Sequence, residues 1–370
     1  MRILLVSLIS PFEGSFGAQQ RTLLLYRALT RMGDVDIVVL QPGDTYSIKP
    51  GKHPIKAEAS WRAGPLAVGG LQADTRLTEQ LWHYIDINDY DLVVGRYISA
   101  LSKLHIPRDI PVVVDLDDAH YRFEKPFYAD PTHLPLRLKA WIKRRCTERT
   151  IKRYQGGFFV SENDRGSFRD FPGVLLPNIP NAYDPSPDFR TTNRSILFVG
   201  SLWYGPNKEG VERYLRHSWP RIHSAAPDAE LMLAGAADTR QIETWNTIPG
   251  VTALGFVDDL AELYRRSAFT IAPIHYGGGS NIKVLESFAY GRCSVTTRFC
   301  ASAFGSLFNR NMDLCVCNDD NEITASCLRL LADQDEREAR ARSGYEAVRN
   351  NLNEAQFDNT VATYIQAILK

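Results

Sequence analysis

Along the 370 residues, short apolar runs alternate with stretches in which apolar side chains recur at helical spacing. That pattern builds α/β folds. Residues 3–9 predict a first strand, a loop holding Gly14 and Gly17 follows, and from Ala18 a helix carries Leu23, Leu24, Leu25, Ala28 and Leu29. Asp36–Leu40 predicts the next strand, so the opening is Rossmann-like, yet it lacks Gly-x-Gly-x-x-Gly and a dinucleotide oxidoreductase is not expected. Residues 45–75 lack periodicity and hold Pro50, Pro54, Gly64, Pro65, Gly69 and Gly70, which reads as a long loop with short elements. Further strands are expected at 91–97, from 111, and at 157–161, with helices at 77–87 and 136–154. Pro185 and Pro187 among polar residues mark a linker, placing a boundary near 190. Beyond it, strands are expected at 195–202, 229–235, 251–257, 269–274 and from 294. Helices are expected at 209–215, 260–267, 323–331, 335–350 and 354–369.

The most informative stretch is Phe269–Thr297. A buried strand runs into Gly277-Gly278-Gly279, where the backbone can bend sharply and another molecule can approach it. Ser280 or Asn281 suits the N-cap of a helix carrying Val284, Leu285, Phe288 and Ala289, which Gly291 ends. Free amides and the helix dipole at such a loop attract an anion, most naturally a phosphate. Lys283 in the first helical turn is unfavourable beside the dipole unless an anion offsets it. Glu286, a turn later, can accept hydrogen bonds from a ribose diol. Together these residues suit a nucleotide diphosphate.

A second constellation is Val112-Val-Val-Asp115-Leu-Asp117-Asp118-Ala-His120, a buried strand running into three carboxylates and a histidine. Ligands of open α/β sheets sit beyond the carboxyl ends of strands, so Asp115, Asp117, Asp118 and His120 should line a binding cleft, where three acids so close could ligate a metal, orient a substrate or remove a proton. Helix capping by Asp117 or Asp118 is the alternative.

Lysine plus arginine equal aspartate plus glutamate at 43 each, so nothing points to nucleic acid. No apolar run approaches the ~20 residues of a spanning helix, and the apolar start is too short for a signal peptide. The six cysteines are scattered, and Cys315-Val-Cys317 is too tight for zinc, so buried reduced thiols in a cytoplasmic protein are expected. Locally the balance breaks. The 136–154 helix carries Arg137, Lys139, Lys143, Arg144, Arg145, Arg149, Lys152 and Arg153 against Glu148 alone. Such a face suits either plain solvation or a peripheral contact with anionic lipid headgroups.

Gly277 to Gly291 resembles the donor-site signature of family-4 glycosyltransferases, which have the GT-B fold of two Rossmann-like domains facing across a cleft. It is most similar to the triple-glycine branch found among bacterial exopolysaccharide and lipopolysaccharide transferases. The resemblance extends to the carboxylates of 111–121, to residues 157–164 and 174–181, and to 196–297. It implies a donor domain at 191–350, an acceptor-side domain at 1–190, and a final helix, 351–370, crossing back to the first domain. It further implies that the amides of Gly278, Gly279 and Ser280 hold the donor diphosphate, that Glu286 binds the ribose, and that Gly17 lies over the phosphates, although a mere tight turn also explains Gly17. After Gly200 the family often has an arginine, here Ser201. Asn207-Lys208 occupies the place of its second phosphate cation, where Lys208 also fits an exposed helix start. Phe256 and Val257 lie in the strand and turn that bracket the donor base. The usual second glutamate, eight residues before Glu286, is here Gly278.

The implied activity is retaining transfer of a sugar from a nucleotide diphosphate to a glycan or lipid-linked hydroxyl, without metal or other cofactor. The family generally needs no metal, so the resemblance favours orienting an acceptor or removing a proton as the role of Asp115, Asp117, Asp118 and His120. A GT-B sugar-nucleotide epimerase and a non-catalytic glycan-binding scaffold are the rival readings. A scaffold need not keep the diphosphate site.

Overall fold

The computed structural model describes residues 1–12, 17–62, 71–117, 134–168, 170–277, 281–305, 307–309 and 312–370. The chain divides into two units, Met1–Asn178 with Glu354–Lys370, and Ile179–Asn353.

In the first unit β1 (Arg2–Ser7), β2 (Asp34–Gly43), β3 (Ser47–Pro50), β4 (Ile55–Arg62), β5 (Leu92–Arg96), β6 (Val112–Leu116), β7 (Gly156–Phe159) and β8 (Gly173–Leu175) form one sheet. Its order is β3-β4-β2-β1-β5-β6-β7-β8, parallel throughout except that β3 runs antiparallel to β4. The central strands are near-continuous apolar runs: Ile3–Val6 and Leu92–Val94 are fully buried, as a sheet covered on both faces requires. Helices α1 (Gly17–Thr30), α2 (Thr75–Tyr84), α3 (Ile98–Leu101), α4 (Leu134–Ile151) and α5 (Glu162–Ser167) connect them. Asp74 caps α2 by accepting from the Leu77 amide at 2.9 Å.

Residues 45–75 are not simply a loop. Ile55, Ala57, Ala59 and Trp61 are buried while Lys56, Glu58 and Arg62 are exposed, the period of a strand with one covered face. Two of the four buried side chains are alanines, which blunts the apolar signal.

The second unit is a wholly parallel sheet of order β11-β10-β9-β12-β13-β14. Its strands are β9 (Ser195–Val199), β10 (Glu230–Ala234), β11 (Val251–Gly255), β12 (Ser267–Ala272), β13 (Ser294–Thr297) and β14 (Cys315–Cys317). Its helices are α6 (Gly205–His217), α7 (Trp219–Ala225), α8 (Thr239–Trp245), α9 (Ala261–Arg266), α10 (Ile282–Ala289), α11 (Arg298–Ser302), α12 (Asp320–Ala332) and α13 (Gln334–Asn351). Cys293, Cys300, Cys315, Cys317 and Cys327 are buried as free thiols, whereas Cys146 is half-buried.

The units part at Asn178–Ile179 rather than near 190, because the proline-rich segment is tied to the second unit. The Tyr183 hydroxyl donates to the Leu352 carbonyl and Tyr345 donates to the Asp184 carbonyl at 3.0 Å. Phe189 meets Tyr345 edge-on at 5.5 Å, and Arg292 donates to the Asp188 carbonyl. The last helix, α14 (Glu354–Ile368), belongs to the first unit. It buries Phe357, Val361 and Ile365 along one stripe, and Arg31 of α1 pairs with Asp358.

Helix α13 lies so close to α10 that a Cβ on Gly344 would stand 2.1 Å from the Phe288 ring. Gly344→Val should therefore lower stability by about 1–3 kcal/mol through overpacking, read from chemical denaturation midpoints. An unchanged midpoint would contradict this packing.

Candidate functional site

Two clusters of buried charge stand at the carboxyl ends of the two sheets, one in each unit. In the first, the parallel register sets Ser7 beside Arg96 and Arg96 beside Asp115. Asp115 is fully buried and grips the Arg21 guanidinium with both oxygens, at 2.6 Å and 2.9 Å, while Arg96 stands 3.1 Å away. Asp117, just past β6, pairs with Arg96 at 2.5 Å and keeps slight exposure. Asn178 accepts from Arg21 at 2.8 Å. Burial alone would raise the Asp117 carboxyl, but Arg96 and then Arg21 outweigh it and hold the group below the usual aspartate range. Arg96 also stacks 3.9 Å from the Tyr97 ring centroid, and Tyr97 holds a φ of 73°, unusual outside glycine. Asp118 and His120 lie outside the described residues.

Arg21 and Arg96 are the members that sequence reasoning missed. Arg21 lies one turn before Leu25 and two before Ala28 on the buried stripe of α1, and a lone arginine there was the available signal. Gly17 begins α1, one turn before Arg21.

In the second unit the strand β12 leads to α10, with Gly277 at φ 127° and Asn281 at the N-cap. Gly278, Gly279 and Ser280 lie outside the described residues. Of the two expected candidates, Ser280 and Asn281, it is Asn281 that holds the N-cap position, but not through its side chain. Its backbone is left-handed (φ 46°, ψ 56°) rather than extended, and its side chain makes no cap hydrogen bond.

Lys283, in the first turn of α10, donates to Asn207 Oδ1 at 2.9 Å, and Asn207 Nδ2 donates to the Ser201 carbonyl at 2.9 Å. The ammonium also stands 5.4 Å from the Phe198 ring centroid. A Cβ on Gly200 would lie 2.9 Å from Asn207 Nδ2 and 3.0 Å from Lys283 Cε, so this close approach needs glycine. Burial pushes Lys283 below its usual range, with Cys300 and Glu286 offsetting part of the effect. Burial likewise pushes the Glu286 carboxyl up to about 7, against the opposing influence of Tyr264, whose hydroxyl donates at 3.4 Å, and of Lys283. Tyr264 is itself fixed by stacking on Tyr290 at 4.9 Å.

The structure brings Asn207, not Lys208, to Lys283. Lys208 lies on the solvent side of α6, 3.9 Å from Glu212. Val257 packs against the cluster of Leu197, Met232, Ala234, Leu263 and Tyr264, whereas Phe256 is mostly exposed.

Residues 193–333, all within the second unit, match the family model described as glycosyl transferases group 1. Over 99% of its length the chain superposes on 98% of sucrose-phosphate synthase from Thermosynechococcus elongatus, with a TM-score of 0.73 and 14% identity. It also superposes over 99% of its length on all of Anabaena HepE, solved in complex with UDP, with a TM-score of 0.67 and 14% identity. The fold is GT-B. A curated relative, an uncharacterized 44.6 kDa protein in the cps region of Klebsiella pneumoniae, is 25% identical over 175 residues. That match spans 44% of this chain and 43% of the relative's length. The residues that match the group 1 model contain the whole cluster of Gly200, Asn207, Lys283 and Glu286.

Arg96→Met should cost about 3–5 kcal/mol at neutral pH by leaving buried carboxylates under-compensated. The folded Asp117 titrates below its ordinary 3.8, so the stability it supplies is complete above that pH and lost as pH falls through the depressed value. Denaturation of both proteins from pH 7 to pH 3 should show the difference shrinking in acid. A constant difference would rule out this origin.

Proposed function

We propose that the chain is a retaining glycosyltransferase that moves a sugar from a nucleotide diphosphate to a glycan or lipid-linked hydroxyl in bacterial surface-polysaccharide or glycoconjugate synthesis. The observation that carries the reading is Lys283, a half-buried ammonium at a helix N-terminus whose hydrogen-bond partner is a neutral amide oxygen. Burying a charge in this way is costly unless an anion joins it. A diphosphate would supply that anion, and Glu286 at the next turn would accept hydrogen bonds from the ribose diol. The UDP of HepE and the UDP-2-fluoro glucose of a trehalose-6-phosphate enzyme from E. coli agree with a UDP-type donor. The cps-region relative supports the polysaccharide setting. Retention rests on the sequence resemblance alone.

In the transfer, the bond from the anomeric carbon to the diphosphate oxygen breaks, and its electron pair stays on the diphosphate. The acceptor oxygen bonds to the same carbon, and its proton passes to the departing phosphate. Lys283, with the amides of Gly278, Gly279 and Ser280, would stabilise the growing charge. Preorganised groups of this kind are commonly the largest catalytic contribution. Asp117, kept anionic by Arg96, would accept a hydrogen bond from the incoming hydroxyl.

The outer face of α4 supports a contact with anionic membrane. Leu138 and Trp141 are 55% and 53% exposed, one turn apart, beside exposed Arg145, Arg149 and Lys152. Among the described residues no helix is long and apolar enough to cross a membrane. Trp141→Ser with Arg145→Ser should reduce co-sedimentation with phosphatidylglycerol vesicles, and neither protein should sediment with phosphatidylcholine. Equal sedimentation of both proteins with phosphatidylglycerol would remove α4 from the contact.

Burial raises the Glu286 carboxyl to about 7 in the free protein, and a diol binds the ionised form, so nucleotide binding near neutral pH should release protons. Affinity should fall below pH 7, and fall again at alkaline pH as Lys283 loses its charge. Calorimetry with UDP, GDP, ADP and dTDP in buffers of different ionisation enthalpy reads both effects. Glu286→Gln should abolish the release. If no nucleoside diphosphate binds, the reading fails.

A further inference from the structure

Lys283 can be held in place in two ways, and they have opposite consequences for an anionic ligand. A carboxylate would fix the ammonium and cancel its charge. A neutral amide fixes it and leaves the charge intact. The chain uses the second arrangement. Asn207 is buried on α6, and its Nδ2 is already committed to the Ser201 carbonyl at 2.9 Å, so it faces Lys283 with Oδ1. The partners are crowded into place. Gly200 leaves room for both side chains only because it has no Cβ, and its φ of 153° falls outside the range most residues adopt. The Gly200 amide is tied to the Ala234 carbonyl at 2.9 Å, and a Cβ on Gly235 would stand 2.0 Å from the Gly200 carbonyl oxygen. The ends of β9 and β10 thus form a stiff floor on which the asparagine and the lysine are set. Lys208, the neighbouring cation, is spent on Glu212 at the surface.

We infer that Asn207 is a positioning residue that aims the Lys283 ammonium while leaving its charge uncancelled, and that this makes the pair selective for a diphosphate over an uncharged ligand. The inference rests on the donor reading above and deepens it. Asn207 acts through the lysine and needs no contact with the nucleotide. An isosteric acid at 207 would pair with Lys283 and neutralise it before any ligand arrived.

Asn207→Asp, Asn207→Ala and Lys283→Met, singly and as Asn207→Asp with Lys283→Met, separate these roles. Each is titrated calorimetrically with the nucleoside diphosphate that binds the wild type most tightly and with its parent nucleoside, after thermal melts confirm folding. Asn207→Asp is expected to weaken the diphosphate about 10- to 100-fold, the size of one hydrogen bond to a charged group, and to leave the nucleoside unchanged. Asn207→Ala, which frees the lysine but keeps the site neutral, should weaken it less. In the Lys283→Met background Asn207→Asp should have no further effect. Equal losses from Asp and Ala, or a loss from Asn207→Asp that persists without the lysine, would overturn the inference while leaving the donor site standing. If the wild type binds no nucleoside diphosphate and no inorganic pyrophosphate, the donor reading falls and takes the inference with it.

Discussion

A charge removed from water must be answered, and the two units of this chain answer that constraint differently. In the first, two arginines and two aspartates close on one another at the ends of β5 and β6, and their formal charges cancel. In the second, half-buried Lys283 lies against an amide oxygen, and among the described residues no carboxylate forms an ion pair with it. Coulomb attraction strengthens in such surroundings, so the same desolvation that makes the lysine costly makes it a strong partner for an incoming anion. The contrast separates a cluster whose charges cancel from one whose cation keeps its charge.

The open cluster depends on backbone that only glycine supplies. Gly200 and Gly235 bring β9 and β10 together at their carboxyl ends, and Gly277 turns the chain beside Pro206 with a Cβ position 3.1 Å from that ring. A side chain at Gly200 would crowd Asn207 and Lys283 directly, and one at Gly235 would meet the Gly200 carbonyl. From the far side, Gly344 lets α13 rest on Phe288, which braces the helix that carries Lys283 and Glu286. Packing and electrostatics are therefore one problem here, because the ion's surroundings are set by how closely helices approach the strand ends.

The superposition on sucrose-phosphate synthase and HepE at 14% identity shows how little sequence this architecture needs. Layers of parallel strands and covering helices require apolar runs of the right length, and many sequences meet that requirement. Chemistry demands particular residues. At Ser201 and Gly278 the sequence departs from the pattern that it resembles.

Much of the α/β architecture was legible without coordinates, since buried parallel strands such as Ile3–Val6 and helices such as α13 announce themselves through periodicity. The strand β4 was harder to read because two of its inward residues are alanines. The boundary moved to Asn178 because Tyr183 donates to the distant Leu352 carbonyl while the Tyr345 hydroxyl and the Arg292 guanidinium donate to the carbonyls of Asp184 and Asp188, which composition does not reveal. Lys283 and Glu286 could be singled out from the chain because a dipole and a helical turn act over a few residues. The partners of the buried charges came only from tertiary structure. Arg21 and Asp115 are 94 residues apart, and Lys283 and Asn207 are 76. Local chemistry can name a charged side chain, but whether it is cancelled or left open depends on which distant residue the fold brings beside it.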